Sequence, residues 1–326
     1  MGMKAVLYPF RATDPIVGLV RDFPQLEWAV VASPAEVAGA IGDAAILDTS
    51  NRVCSAAYGE ALARCAGASL RWIHFTSAGI DSGLRMGLPA WATVTNATGV
   101  KAAMVSEHAL ALMLALVRRL PDLAADQRVR RWRHDAAMAM VGTLAGAVVC
   151  IVGLGAIGRA VARKAKAFDA CVIAVSRTGM AGDGVDEVYP RPRMAQALAR
   201  SDAVVICTSS DTESFHLIDA AALAALRPKA LLVNVARGDL LDGAALIDAL
   251  QAGRLGGAAL DVTEVEPLAP ESPLWDLPNV VISPHVAGGG SNGYQQQKDL
   301  FGRNLLRFSA GEPLLNVCRR AGGLDT

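Results

Sequence analysis

The chain has 326 residues, 52% hydrophobic but only 5% aromatic, and its 31 lysines and arginines balance 31 aspartates and glutamates. That length exceeds one typical domain, and a core made mostly of Ala, Val, Leu and Ile suits parallel sheets covered by helices. A formal net charge of zero supplies no long-range attraction for nucleic acid or an anionic membrane, which argues against both as partners.

The first residues, MGMKAVLYPF, contain no signal-peptide core and read as a strand, so a cytoplasmic location is expected. Short strand-like runs at 4–9, 27–32, 44–47, 71–75 and 92–96 alternate with alanine-rich helical stretches, predicting a self-contained α/β unit. A helix is predicted over 105–120, opening at Ser106 as its cap; being apolar almost all round, it should be buried between domains. The basic run 128–134, RVRRWRH, reads as a solvated or subunit-facing turn rather than a polyanion site. Residues 136–158 carry no charge, a stretch long enough for a membrane span. Its glycines and its strand–loop–helix pattern exclude that reading. The six cysteines lack CxxC spacing and read as reduced, with no metal or disulfide framework.

Residues 147–168 read as a strand, then Gly153-Leu154-Gly155-Ala156-Ile157-Gly158, then a helix with Ile157, Val161, Ala165 and Phe168 on its apolar face. Strand, GxGxxG and helix in that order form a dinucleotide-binding fingerprint. The glycines permit the tight turn, close pyrophosphate approach and helix–sheet packing, and the helix N–H groups receive the phosphates. With 31 glycines the bare pattern arises by chance roughly 0.3 times per chain, so context must decide. A second match at Gly288, Gly290 and Gly293 is rejected, because the helix after it is expected to reach the C-terminus without another strand. The first match continues into a second strand at 171–176, and further strands are predicted near 203–207, 231–235, 257–260 and 279–282. The tail 292–314 reads as helix packing back on the first unit.

Arg237, Glu266 and His285 each lie just after one of these late apolar runs, at the carboxyl ends where open parallel sheets place their ligands. An arginine to hold an anion, a histidine to move a proton and a carboxylate beside it make a chemically coherent set.

Several ordered motifs extend this pattern: SAGID (77–81), VTNATGV (94–100), VSEHALALMLAL, IVGLGAIGR, NVARGDLLD, ALDVTEVEP, PLWDLPNVVISPHVAG and NLLRFSAGEPLLN. Together they resemble the D-isomer-specific 2-hydroxyacid dehydrogenases over about residues 77–316. The resemblance implies an α/β architecture: a doubly wound, Rossmann-type parallel sheet binding the dinucleotide (100–288), inserted in a smaller flavodoxin-like substrate domain (1–99 and 289–326). The active site would lie in the cleft between them. It implies reversible hydride transfer between a nicotinamide and a small 2-oxo or 2-hydroxy acid. A homodimer is expected on other grounds, because the apolar helix 105–120 and the segment around Trp132 exceed what one subunit covers. His285 would donate the proton, Glu266 would partner it and favour its charged form, and Arg237 would bind the substrate carboxylate and polarise the carbonyl. Gly153, Gly155, Ala156, Ile157, Gly158, Thr208, Ala236 and Asp261 would hold the cofactor, Asp261 accepting from its carboxamide. Ser77, Ala78 and Gly79 would offer backbone N–H groups to the substrate carboxylate.

Two departures bear on the cofactor. Where the family places an Asp for the adenosine ribose, this chain has Ser176-Arg177-Thr178, a cationic fork between hydroxyls that welcomes a 2′-phosphate. After 203–207 stands Thr208-Ser209-Ser210-Asp211, whose carboxylate opposes that preference. NADP is expected over NAD. An Arg-Thr pair with NADP preference resembles the glyoxylate and hydroxypyruvate reductases. Arg52, His74 and Trp132 could shape the pocket, but each reads better as structural or interfacial. A formate- or phosphite-type dehydrogenase is disfavoured by Glu266 in place of Gln, and a nucleotide-sensing regulator by the intact set of three.

Overall fold

Thirteen strands run through the computed structural model, which describes residues 2–177, 182, 184–210 and 213–320. Strands β1 (Lys4–Leu7), β2 (Glu27–Val30), β3 (Ile46–Thr49), β4 (Trp72–Phe75) and β5 (Thr93–Asn96) come first. Then follow β6 (Val148–Val152), β7 (Cys171–Ser176), β8 (Glu187–Pro190), β9 (Ala203–Ile206), β10 (Leu231–Asn234), β11 (Gly257–Leu260) and β12 (Val280–Ile282), with β13 (Val317–Arg319) last. The chain divides into two units, residues 1–101 with 290–326, and residues 102–289.

The first unit holds the sheet β2-β1-β3-β4-β5-β13, parallel except for β13, which lies antiparallel on β5. Its parallel part has the flavodoxin-like order. Alternation along each strand divides the side chains between two cores. Val6, Leu47, Ile73 and Val94 face helices Pro34–Ala40 and Ala56–Cys65. Ala5, Leu7, Ile46 and Trp72 face Phe301 and Leu305 of helix Ser291–Ala310.

The second unit holds β8-β7-β6-β9-β10-β11-β12, all parallel, with the strand order of a doubly wound dinucleotide fold. One face packs Val149, Ile151, Val172 and Val205 against helices Ala102–Val117 and Ala156–Lys166; the other packs Cys150, Val152, Ile173 and Val204 against helices such as Gly243–Gln251.

Several sequence expectations need correction. The long helix begins at Ala102, so Ser106 is interior: its hydroxyl donates back to the Ala103 carbonyl at 2.9 Å and accepts from Lys164 Nζ at 2.9 Å. Ala103, Glu107 and Ala111 form an exposed stripe, so this helix is buried on one side only. Phe168 lies beyond the next helix and is exposed, the apolar face being made by Ala160, Val161, Ala162 and Ala165. Strand β8 was hidden because its Pro190 marks an edge strand, and three-residue β13 was too short for a periodic signal. Since β13 is antiparallel, the Gly288–Gly293 segment still opens no parallel βαβ unit.

His74 is a core residue. Its ring stacks on Phe301 at 4.9 Å, Nδ1 pairs with Thr95 Oγ1 at 2.7 Å, and burial depresses its pKa to about 3 from an ordinary 6.5. Between those values the unfolded chain binds a proton that the folded chain refuses. Stability contributed here is therefore present above pH 6.5 and lost on acidification toward about 3. Its register partner Asp48, buried with neither carboxylate oxygen hydrogen-bonded among the described residues, has its pKa raised by burial and acts with the opposite sign, stability falling as pH rises above 3.8. Urea unfolding should thus show a smaller loss between pH 7 and pH 4.5 for His74→Asn than for the parent chain. Equal losses would remove His74 from the acid response.

Candidate active site

The Gly-rich turn between β6 and helix Ala156–Lys166 is built for close backbone approach. Gly153 sits at φ +101°, and a Cβ there would meet Thr208 N at 2.6 Å. At Gly158 a Cβ would lie 2.0 Å from the Gly153 carbonyl oxygen, so only glycine lets the helix start against the strand end. Beside Gly155, its chain neighbours aside, no atom of the described residues lies within 4 Å of the same position, and a side chain there would fill the space next to the N–H groups of Ala156, Ile157 and Gly158. A turn stripped of side chains at a helix start fits a dinucleotide pyrophosphate. Ser176 ends β7, and Arg177 beyond it is exposed. Thr178 and Asp211 lie outside the described residues.

Strands β10, β11 and β12 bring the other candidates to one edge of the same unit. The buried side chain of Asn234 shapes the turn after β10: Oδ1 accepts from Ala236 N at 3.0 Å and Nδ2 donates to the Arg237 carbonyl at 2.8 Å. Gly238 follows because a Cβ there would lie 1.9 Å from the Thr263 carbonyl oxygen. The turn is thus pressed onto the loop after β11, with Arg237 extended, half-buried, and donating from Nη1 to the Ala236 carbonyl at 2.7 Å.

Asp261 is 2% exposed and organises the loop after β12. Its Oδ1 accepts from Ser283 Oγ at 2.6 Å and Val286 N at 2.9 Å, and Oδ2 from Ala287 N at 2.9 Å. Its carbonyl accepts from His285 N at 2.7 Å. His108 reaches the same cluster, with Nε2 2.8 Å from Ser283 Oγ. These bonds hold His285 at φ +53°, a left-handed conformation that a non-glycine residue keeps only when its surroundings impose it. The imidazole Nδ1 lies 2.7 Å from Glu266 Oε2, whose Oε1 accepts from Thr263 N at 3.3 Å. With Nδ1 turned to the carboxylate, Nε2 is the ring nitrogen left to face a ligand. Both side chains are about two-fifths exposed, at 41% and 39%.

In the first unit, Ser77, Ala78 and Gly79 follow β4. Ser77 Oγ accepts from Asn51 N at 3.1 Å and donates to the Gly79 carbonyl at 2.8 Å, while Asn96 Nδ2 donates to the Ala78 carbonyl at 2.7 Å. The loop's carbonyls are occupied, whereas the N–H groups of Ala78 and Gly79 donate to no acceptor among the described residues. Such N–H groups suit an anion. Trp132 is 92% exposed, which separates it from any pocket of its own unit.

Sequence reasoning overlooked Asn234, Ser283 and His108. Asn234 opens the NVARG run and was visible, but only the structure shows its amide shaping the arginine turn. The link from His108 to Ser283 spans 175 positions and has no local signal. Among the described residues no His, Cys, Asp and Glu group is arranged to hold a metal, and no helix is long and apolar enough to cross a membrane.

Residues 110–287 match the family described as D-isomer specific 2-hydroxyacid dehydrogenase, NAD binding domain. Glyoxylate/hydroxypyruvate reductase A of Arabidopsis thaliana is 37% identical over 222 residues, 68% of this chain and 69% of its own length. Among solved structures, a D-isomer specific 2-hydroxyacid dehydrogenase family protein from Aeromonas salmonicida subsp. salmonicida gives a TM-score of 0.82 at 30% identity, covering 97% of this chain and 99% of that one. The NADPH-dependent glyoxylate/hydroxypyruvate reductase of Sinorhizobium meliloti, solved with NADP and malonate, gives 0.80 at 25% identity, covering 100% and 99%.

Proposed function

The chain belongs to the D-isomer specific 2-hydroxyacid dehydrogenases, NAD(P)-dependent oxidoreductases, and from that premise we propose that it reduces a small 2-oxo acid of the glyoxylate or hydroxypyruvate kind to the D-2-hydroxy acid, with His285 as proton donor. The observation that carries this reading is the 2.7 Å pairing of His285 Nδ1 with Glu266 Oε2, on an imidazole whose backbone is held left-handed. When bound, the nicotinamide supplies the hydride. Glu266 then orients the ring and stabilises its charged form, so that Nε2 gives a proton to the substrate oxygen. Arg237 holds the substrate carboxylate and draws electron density from the carbonyl. The N–H groups of Ala78 and Gly79 add to the carboxylate site, together with Ser77. Asp261 keeps the His285 loop in place and is assigned to the carboxamide. A panel of 2-oxo acids assayed with NADPH and NADH tests the reading; binding of NADPH without turnover of any 2-oxo acid would point instead to a nucleotide-sensing regulator.

The cofactor proposed is NADPH, held at its 2′-phosphate by Ser176, Arg177 and Thr178, with NAD a weaker alternative. A charge-assisted hydrogen bond of about 1.5–3 kcal/mol predicts that Arg177→Ala weakens NADPH roughly 10–100-fold and hardly changes NADH. Ser176→Asp should go further by repelling the phosphate. The comparison is kcat/KM for the two cofactors in parent and variants; equal or better use of NADH by the parent chain would move the assignment to NAD.

We further propose a homodimer. The apolar face of helix Ala102–Val117, expected to meet a partner subunit, is buried within its own unit, which leaves Leu120, Val129, Trp132 and Met138, exposed along the following segment, as the surface for a second subunit. Light scattering should give twice the 33.9 kDa chain mass; a monomer at micromolar concentration would refute it.

A further inference from the structure

We infer that Arg52 and Lys101, on the strand-end rim of the first unit, form an anion subsite selecting 2-oxo acids that carry a second carboxylate or phosphate remote from the reacting carbonyl. The inference rests on the reduction proposed above for its chemistry and concerns only the tail of the substrate.

Both residues belong to segments bonded directly to the loop assigned to the substrate carboxylate. Arg52 follows Asn51, whose N–H donates to Ser77 Oγ at 3.1 Å. Lys101 ends the segment after β5, where Ala97 N donates to the Ser77 carbonyl at 3.1 Å and Asn96 Nδ2 to the Ala78 carbonyl at 2.7 Å. An anion held by these cations would therefore sit beside a ligand held by that loop.

The charges on this rim are unbalanced. The Arg52 guanidinium carbon lies 5.2 Å from the centre of the exposed Phe10 ring and that of Arg11 5.4 Å from the same ring. Lys101 Nζ lies 5.4 Å from the centre of the Tyr294 ring. Aromatic faces soften cation charge but do not neutralise it. Among the described residues neither Arg52 nor Lys101 has a carboxylate within ion-pair distance. Burial, then the neighbouring Arg52, pull the pKa of Lys101 below its ordinary value, with Asp14 opposing. Asp14 is itself engaged, one oxygen accepting from Arg11 N at 3.1 Å. A half-buried lysine whose charge is disfavoured by its own surroundings gains strongly from an arriving anion. A solvated basic face would instead leave each cation free in water, without such crowding.

Matched substrate pairs isolate the tail charge: oxaloacetate against 2-oxobutyrate, 2-oxoglutarate against 2-oxopentanoate, and phosphohydroxypyruvate against hydroxypyruvate. The parent chain should favour the doubly anionic member of at least one pair by roughly 10–100-fold in kcat/KM, the worth of one charge-assisted contact. The pair that responds distinguishes carboxylate from phosphate. Lys101→Met and Arg52→Gln should each reduce that ratio, chiefly through KM, while changing little for the uncharged-tail substrate. Equal use of both members of every pair, or a ratio unmoved in both variants, would overturn the subsite and leave the reduction itself standing. Failure to reduce any 2-oxo acid would overturn both.

Discussion

His285→Ala is expected to lower kcat for 2-oxo acid reduction by roughly 10²–10⁴, the usual worth of a positioned general acid, while cofactor affinity stays nearly intact. The expectation follows from what the side chain touches. Its Nδ1 is engaged by Glu266 and its backbone by Asp261, so the ring is oriented but is no part of the Gly-rich turn. Alanine also loses the ease with which some residues adopt φ +53°. Asparagine, which visits the left-handed region more readily, therefore makes the better companion. If His285→Asn and His285→Ala lose rate alike, the ring is responsible; if asparagine restores it, the loop conformation was. Glu266→Gln should lose less than either, because the amide can still meet Nδ1 without stabilising the charged ring. NADPH binding followed by fluorescence titration supplies the control, and a loss of affinity matching the loss of rate would place His285 in the nucleotide site.

Much of this organisation was legible in the chain because it is written in local periodicity. Continuous β-branched runs announced the buried parallel strands, and the strand–GxGxxG–helix order located the Gly-rich turn between β6 and helix Ala156–Lys166. The structure adds the reason for each glycine there, namely the Thr208 backbone against Gly153 and the Gly153 carbonyl against Gly158. Features set by contacts distant in sequence were not legible. Asp261 was assigned to the cofactor from its motif, and nothing nearby announces that its carboxylate gathers Ser283, Val286 and Ala287. For His74 the sequence favoured a structural role over a pocket one, and the partners that make it a core residue, Phe301 and Thr95, are distant in the chain. Ser106 failed as a helix cap because alanines upstream extend the helix and its hydroxyl finds a carbonyl one turn back. Periodicity reports which face is buried; it does not report which distant residue completes a polar site.

Arg237→Lys should reduce kcat/KM for the oxo acid by about 10²–10³, in the range of losing a donor aimed at developing charge. The positive charge survives this change, but the planar fork does not, so one ammonium must replace two parallel N–H donors. The turn itself should survive. Asn234 fixes the Ala236 N–H and the Arg237 carbonyl, and Gly238 closes against the Thr263 carbonyl, none of them through the guanidinium. What the lysine loses besides the fork is the 2.7 Å bond from Nη1 to the Ala236 carbonyl, which helps aim the arginine. Both effects act on the substrate, so KM should rise and kcat should fall together. A rise in KM alone would mean that Arg237 binds the carboxylate equally in ground and transition states and polarises nothing. A change confined to cofactor affinity would transfer the residue to the nucleotide site, and the strand-end trio would then shrink to the His285–Glu266 pair.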